Sequence, residues 1–90
     1  MRVKVSVYAI LRETLGWREK YVEIEGKSSA TINEVLKCLP ELHNILQSNN
    51  TIIETYMILV DGVNIRLRRG LNTEVGDGSE ISIIPPAGGG

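Results

Sequence analysis

The sequence predicts an α+β domain, a mixed sheet of about five strands with one main helix across one face. Three observations carry that prediction. Val3, Val5 and Val7 alternate with Arg2, Lys4, Ser6 and Tyr8, and period two with β-branched residues marks a strand with one buried face. Thr31 stands three residues before Glu34, the spacing of a capping box that opens a helix. Asp61-Gly62 and Asp77-Gly78 are turn signals that break up the apolar runs of the C-terminal third.

Between the first strand and the next, Ala9 to Trp17 has room for a loop or a helical turn, with Gly16 as its stop. Glu19 to Glu25 alternates again, and the short connection lets this strand pair antiparallel with the first. Gly26 to Ala30 reads as a break. After Thr31, the residues Ile32, Val35, Leu36 and Leu39 recur at helical spacing. Pro40 ends or restarts the helix, and Leu42, Ile45 and Leu46 suggest one or two further turns. Ser48-Asn49-Asn50 is a loop. Thr55 to Val60 reads as a strand, Val63 to Leu67 as a shorter one, Gly70 to Val75 as irregular, and Ser79 to Ile84 as the last strand.

Two strands, a helix and three strands make a β-grasp arrangement if the first and last strands lie parallel in the middle of the sheet. Val5, Val7, Leu36, Leu39, Leu59 and Ile81 are the expected core. The chain divides into a β-grasp domain over residues 1–86 and a flexible glycine tail over 87–90.

The 90 residues suffice for one domain and leave little room for an internal cleft. Chemistry is therefore expected at an edge, a tail or a shared interface. A net charge of −1 provides no global basic field for nucleic acid. One cysteine, Cys38, excludes an intrachain disulfide and a four-cysteine cluster; its helical phase, beside the apolar stripe, predicts a packed thiol. His43 is the only histidine, and with no Cys/His cluster it reads as a surface or helix-end residue, with no metal site. Lys4 and then Arg12-Glu13 interrupt any apolar run near the N-terminus, so neither a signal peptide nor a membrane span is expected and the cytoplasm is the default location.

The end of the chain is the most informative segment. Pro85-Pro86 follows Ile84 directly, which stops sheet pairing and favours extended geometry. Ala87, Gly88, Gly89 and Gly90 follow, with no side chain larger than methyl. Such a neck can thread into a narrow channel and present a carboxylate for attack on the α-phosphate of ATP, because glycine lets both backbones approach closely. A second surface accompanies it. The strand around Met57 and Leu59 is apolar on both faces, one helix covers only one of them, and the other is either a partner interface or covered by another segment. Tyr56, Ile58, Val60 and Ile84, with Arg66 and Arg68, are the interface candidates. Arg66, Arg68 and Arg69 are either a partner contact or a solvated strand end.

The chain resembles the small subunit of molybdopterin synthase and its relatives, the ubiquitin-like sulfur carriers and ubiquitin-related modifiers. The resemblance spans the whole length and rests on Leu59-Val60-Asp61-Gly62, Arg66-Leu67, Gly70-Leu71, Asp77-Gly78, Ile81 to Pro86 and Gly89-Gly90. Ala87 and Gly88 depart from the usual larger residue and alanine at those positions. The resemblance implies a carrier that is not itself an enzyme and binds no cofactor. A partner adenylating enzyme of the ubiquitin-activating type would use ATP to activate Gly90, with Gly88 and Gly89 as the neck. The resulting thiocarboxylate would pass sulfur to a molybdopterin precursor, with the synthase large subunit as partner, or to transfer RNA through a thiolating enzyme. Alternatively, Gly90 would be joined to lysines of target proteins, or the domain would be an interaction module with an inert tail.

Overall fold

The computed structural model describes residues 1–47 and 55–86. The elements follow in the order β1 (Arg2–Val7), α1 (Ile10–Leu15), β2 (Glu19–Glu23), β3 (Ser29–Thr31), α2 (Ile32–Lys37), α3 (Pro40–Gln47), β4 (Met57–Val60), β5 (Val63–Asn64), β6 (Glu74–Gly76) and β7 (Glu80–Ile84). Five of these strands form one sheet in the order β2-β1-β7-β4-β5, and β3 and β6 form a separate ribbon. β1 and β7 are parallel neighbours at the centre, with Val5 beside Ile81 and Val7 beside Ile83. The remaining pairs are antiparallel. This is the mixed, helix-covered sheet of a β-grasp.

Local sequence explains each junction. Gly16 adopts φ +81° after α1 and its N–H donates to the Arg12 carbonyl at 2.9 Å, a left-handed helix stop that glycine reaches without a Cβ penalty. Thr31 and Glu34 form the full capping box: Glu34 N–H donates to Thr31 Oγ1 at 3.1 Å, and Thr31 N–H donates to Glu34 Oε1 at 2.9 Å. Pro40 restarts the helix rather than merely ending it. It is the first residue of α3, where its missing N–H costs no helical bond. The Asp61-Gly62 turn has positive φ at both residues, 49° and 86°, as a two-residue hairpin of this twist requires.

Val5, Val7, Leu36 and Ile81 are fully buried, and Leu39 packs against the core from a half-buried position. Leu59 departs from expectation. It is half-buried outside the core, and Ile58, 1% exposed, takes the inward position. The reason is register. Ile58 lies beside Ile83 of β7, and Ile83 lies beside Val7 of β1, so the unambiguous alternation of β1 sets the phase of β4 across two pairings.

Several boundaries also differ. β2 ends at Glu23 and β4 begins at Met57. The strand expected over Val63 to Leu67 is two residues of β5 followed by a 3₁₀ turn over Ile65–Leu67. The segment expected to be irregular holds another 3₁₀ turn, Gly70–Asn72, and then β6. The ribbon it makes with β3 is too short to show alternation.

Candidate functional site at the root of the C-terminal tail

β7 delivers the chain to one end of the sheet. The parallel pairing puts the C-terminal ends of β1 and β7 together, and Tyr8 N–H donates to the Ile83 carbonyl at 3.2 Å. On the other side Met57, the first residue of β4, pairs with Ile84. Pro85 and Pro86 then leave the sheet without a backbone donor. Ala87, Gly88, Gly89 and Gly90, with the expectation of a flexible tail, lie outside the described residues.

The face of the sheet turned away from the helices has two halves. Across β2, β1 and the start of β7 it is polar, and its charges pair with one another. Lys4 Nζ lies 3.3 Å from Glu19 and 3.9 Å from Glu80, and Ser6 Oγ donates to Glu80 at 3.0 Å. The hydrogen bond that Lys4 donates to Glu19, with the charges of Glu19 and Glu80, raises the Lys4 pKa above its ordinary value. Arg2 reaches Glu23 at 3.9 Å and stacks over the Tyr21 ring at 4.0 Å. Toward β4 and the end of β7 the face becomes apolar. Met57 is 49% exposed, and Leu59 and Ile84 are half-buried. At the tail root a shallow groove of about 300 Å³ is lined by Tyr56, Met57, Asn64, Arg66, Ile84 and Pro85, among others.

The interface candidates therefore separate. Ile84, Arg66 and Tyr56 line the groove. Ile58 belongs to the buried core, and Val60 packs against it from a half-buried position. The outer positions of β4 are Met57 and Leu59, which sequence reasoning did not place there. A signal existed: a two-residue Asp61-Gly62 turn forces Leu59 opposite Asn64, and that polar partner marks the outward face. Arg68 lies away from the groove, with Arg69, Thr73 and Glu74 around a separate hollow.

Cys38 is exposed, not packed. It is the C-cap of α2, at the solvent-facing edge of the apolar stripe, and its Sγ lies 3.5 Å from the Glu34 carbonyl. His43 is half-buried on α3, and its buried Nε2 has no hydrogen-bond partner among the described residues. Among the described residues no three His, Cys, Asp or Glu side chains cluster as metal ligands would, and no helix is long and apolar enough to cross a membrane.

Comparison with known proteins agrees with this geometry. The ThiS family model matches residues 5–90. A protein of Archaeoglobus fulgidus, provisionally named as a sulfur carrier protein, is 35% identical over 74 residues, covering 77% of this chain and 83% of the relative. The solution structure of the small archaeal modifier protein 1 from Methanosarcina acetivorans superposes with a TM-score of 0.70 at 30% identity, over 99% of this chain and 96% of that one. A chain of the Amycolatopsis orientalis BexX/CysO complex gives a TM-score of 0.74 at 29% identity, over 98% of this chain and 99% of that one. The chain belongs to the ThiS family, the ubiquitin-like β-grasp sulfur carriers and modifiers.

Proposed function

We propose that this protein carries sulfur on the carboxyl group of Gly90, activated by a separate adenylating enzyme. The observation that carries the reading is the tail root: a parallel central strand ends in Pro85-Pro86 beside an exposed apolar corner. The domain anchors the partner there, and the glycines reach onward into its active site. The carboxylate oxygen attacks the α-phosphate of ATP, a new acyl–phosphate bond forms, and pyrophosphate leaves. A sulfide-equivalent nucleophile held by a partner then attacks the acyl carbon. The carbon–sulfur bond forms, the carbon–oxygen bond to AMP breaks, and a thiocarboxylate remains. The protein supplies reach and docking, and the partner supplies the catalytic groups and ATP. The acceptor belongs to molybdopterin synthesis, through the synthase large subunit, or to transfer-RNA thiolation.

A second reading, conjugation of Gly90 to target lysines, is favoured by the likeness to a small archaeal modifier protein. It shares the activation step and differs only in the nucleophile, a lysine amine in place of sulfur.

ATP–pyrophosphate exchange with the cognate adenylating enzyme tests the shared step. Deleting Gly90 shortens the reach, and misplacing a reacting group by about an ångström costs about 100-fold. Gly89→Val narrows the neck and restricts its backbone. Both variants are expected to melt like the parent and to lose exchange. Parental exchange by both assigns the tail no active part and favours an inert-tailed interaction module.

A further inference from the structure

We infer that the turn carrying Leu67, Arg68 and Arg69 is a second docking element, which seats Leu67 in an apolar recess rimmed by carboxylates on the adenylating enzyme. The inference rests on the function proposed above and names how the partner recognises the domain beyond its tail.

The first observation is Leu67 itself, 79% exposed, more than any other large apolar side chain among the described residues. An isolated exposed leucine is ordinary. This one is held out by a pinned scaffold. Ile65, two residues before it, is 1% exposed and anchors the 3₁₀ turn in the core. Asn64 Oδ1 caps the turn by accepting from Arg66 N–H at 2.9 Å, and Arg68 N–H closes it on the Ile65 carbonyl at 3.0 Å. Beyond it Arg69 N–H donates to Oγ1 of the buried Thr73 at 3.0 Å, and Thr73 N–H returns to the Gly70 carbonyl. A backbone pinned by so many local bonds loses little freedom when the leucine it presents is bound.

The second observation is charge. Elsewhere Arg2 pairs with Glu23, Lys4 with Glu19 and Glu80, and Lys27 with Glu34. Arg12 donates to the Val7 carbonyl and Lys20 lies over the Trp17 ring, while Arg18 and Lys37 are isolated single cations with no ion pair among the described residues. Arg68 and Arg69 are exposed, and neither forms an ion pair with a described residue. Two adjacent unpaired guanidinium groups beside an outward leucine complement carboxylates around an apolar recess. The third observation is continuity. Arg66, on the same turn, also lines the groove at the tail root with Met57 and Ile84, so one partner can cover groove and turn together.

The test uses the full chain, the adenylating enzyme and two variants, Arg68→Glu/Arg69→Glu and Leu67→Ser. Binding to immobilised enzyme and the KM and kcat for exchange are measured from about 50 to about 500 mM salt, a range that takes the Debye length from well above ion-pair distance to near it. The expected result is that charge reversal weakens binding and raises KM by about tenfold at low salt, leaves kcat unchanged and flattens the salt dependence. Leu67→Ser should raise KM at every salt concentration, and both variants should melt like the parent. Parental binding and salt dependence in both variants overturn the inference. A parent that binds without exchange refutes the activation chemistry instead, and the turn is then judged on binding alone. A parent that neither binds nor exchanges overturns both.

Discussion

Replacing Ile58 by alanine should unfold this protein far more readily than replacing Leu59 or Met57, although all three share one four-residue strand. Ile58 is 1% exposed and lies beside Ile83 at the centre of the sheet. Ile58→Ala removes three buried carbons. At about 0.8 kcal/mol each that is about 2.4 kcal/mol of transfer free energy, and the unfilled cavity brings the loss to about 3–4 kcal/mol. For a domain of this length each kcal/mol moves the midpoint by about 4–8 °C, so a fall of about 12 °C or more is expected. Met57 is already 49% exposed and Leu59 lies on the outer face. Their alanine variants should stay within about 1 kcal/mol of the parent. Paired thermal melts by circular dichroism, with urea titrations to confirm a constant slope, make the comparison. In exchange assays the order should invert, with Met57→Ala and Leu59→Ala raising KM through lost docking. A Leu59→Ala variant that loses more stability than Ile58→Ala would reverse the strand's facing, and the docking corner would go with it.

Two further outcomes follow from local geometry. Ala9 sits at φ 54° and ψ −133° before α1, a region that favours glycine; Ala9→Gly should raise stability by about 1 kcal/mol, the relieved strain exceeding the added chain entropy of glycine, and a lower midpoint for this variant would contradict it. Glu34 is held at a pKa of about 2, against an ordinary value of 4.5, first by its hydrogen bond from Lys27 and then by the Thr31 backbone N–H. A depressed carboxyl contributes stability that is complete above the ordinary value and lost as pH falls toward 2. Acid titration of the melting point should show the parent losing its small advantage over Glu34→Gln in that window, and parallel curves would refute the assignment.

The fold was legible where the alternation was unambiguous. Val3, Val5 and Val7 fixed the first strand, the Thr31 box fixed the helix start to the residue, and Asp61-Gly62 fixed a hairpin. β4 was not, because Met57 to Val60 is apolar at every position and carries no phase of its own. Its facing comes from neighbours distant in sequence, Ile83 and Val7, and from the polarity of Asn64 across the turn. The β3–β6 ribbon was hidden for another reason: it is three residues long and joins segments more than forty positions apart. Cys38 was misplaced because a phase argument has little force at a helix's last turn, where the edge of the apolar stripe already faces solvent. At the tail root, the proline stop and the glycine neck were plain in the sequence, whereas the groove beside them depends on β4 meeting the end of β7.

The most direct test of sulfur carriage is the intact mass of the protein isolated from its native cells, measured with and without a thiol-reactive trap. The account predicts a fraction heavier than the plain carboxylate by the difference between one sulfur and one oxygen. That fraction should take one trapping group more than the single thiol Cys38 accounts for, and it should vanish when Gly90 is deleted. A population that is entirely carboxylate in cells expressing the adenylating enzyme and supplied with sulfur, with no added trapping at the tail, would contradict it.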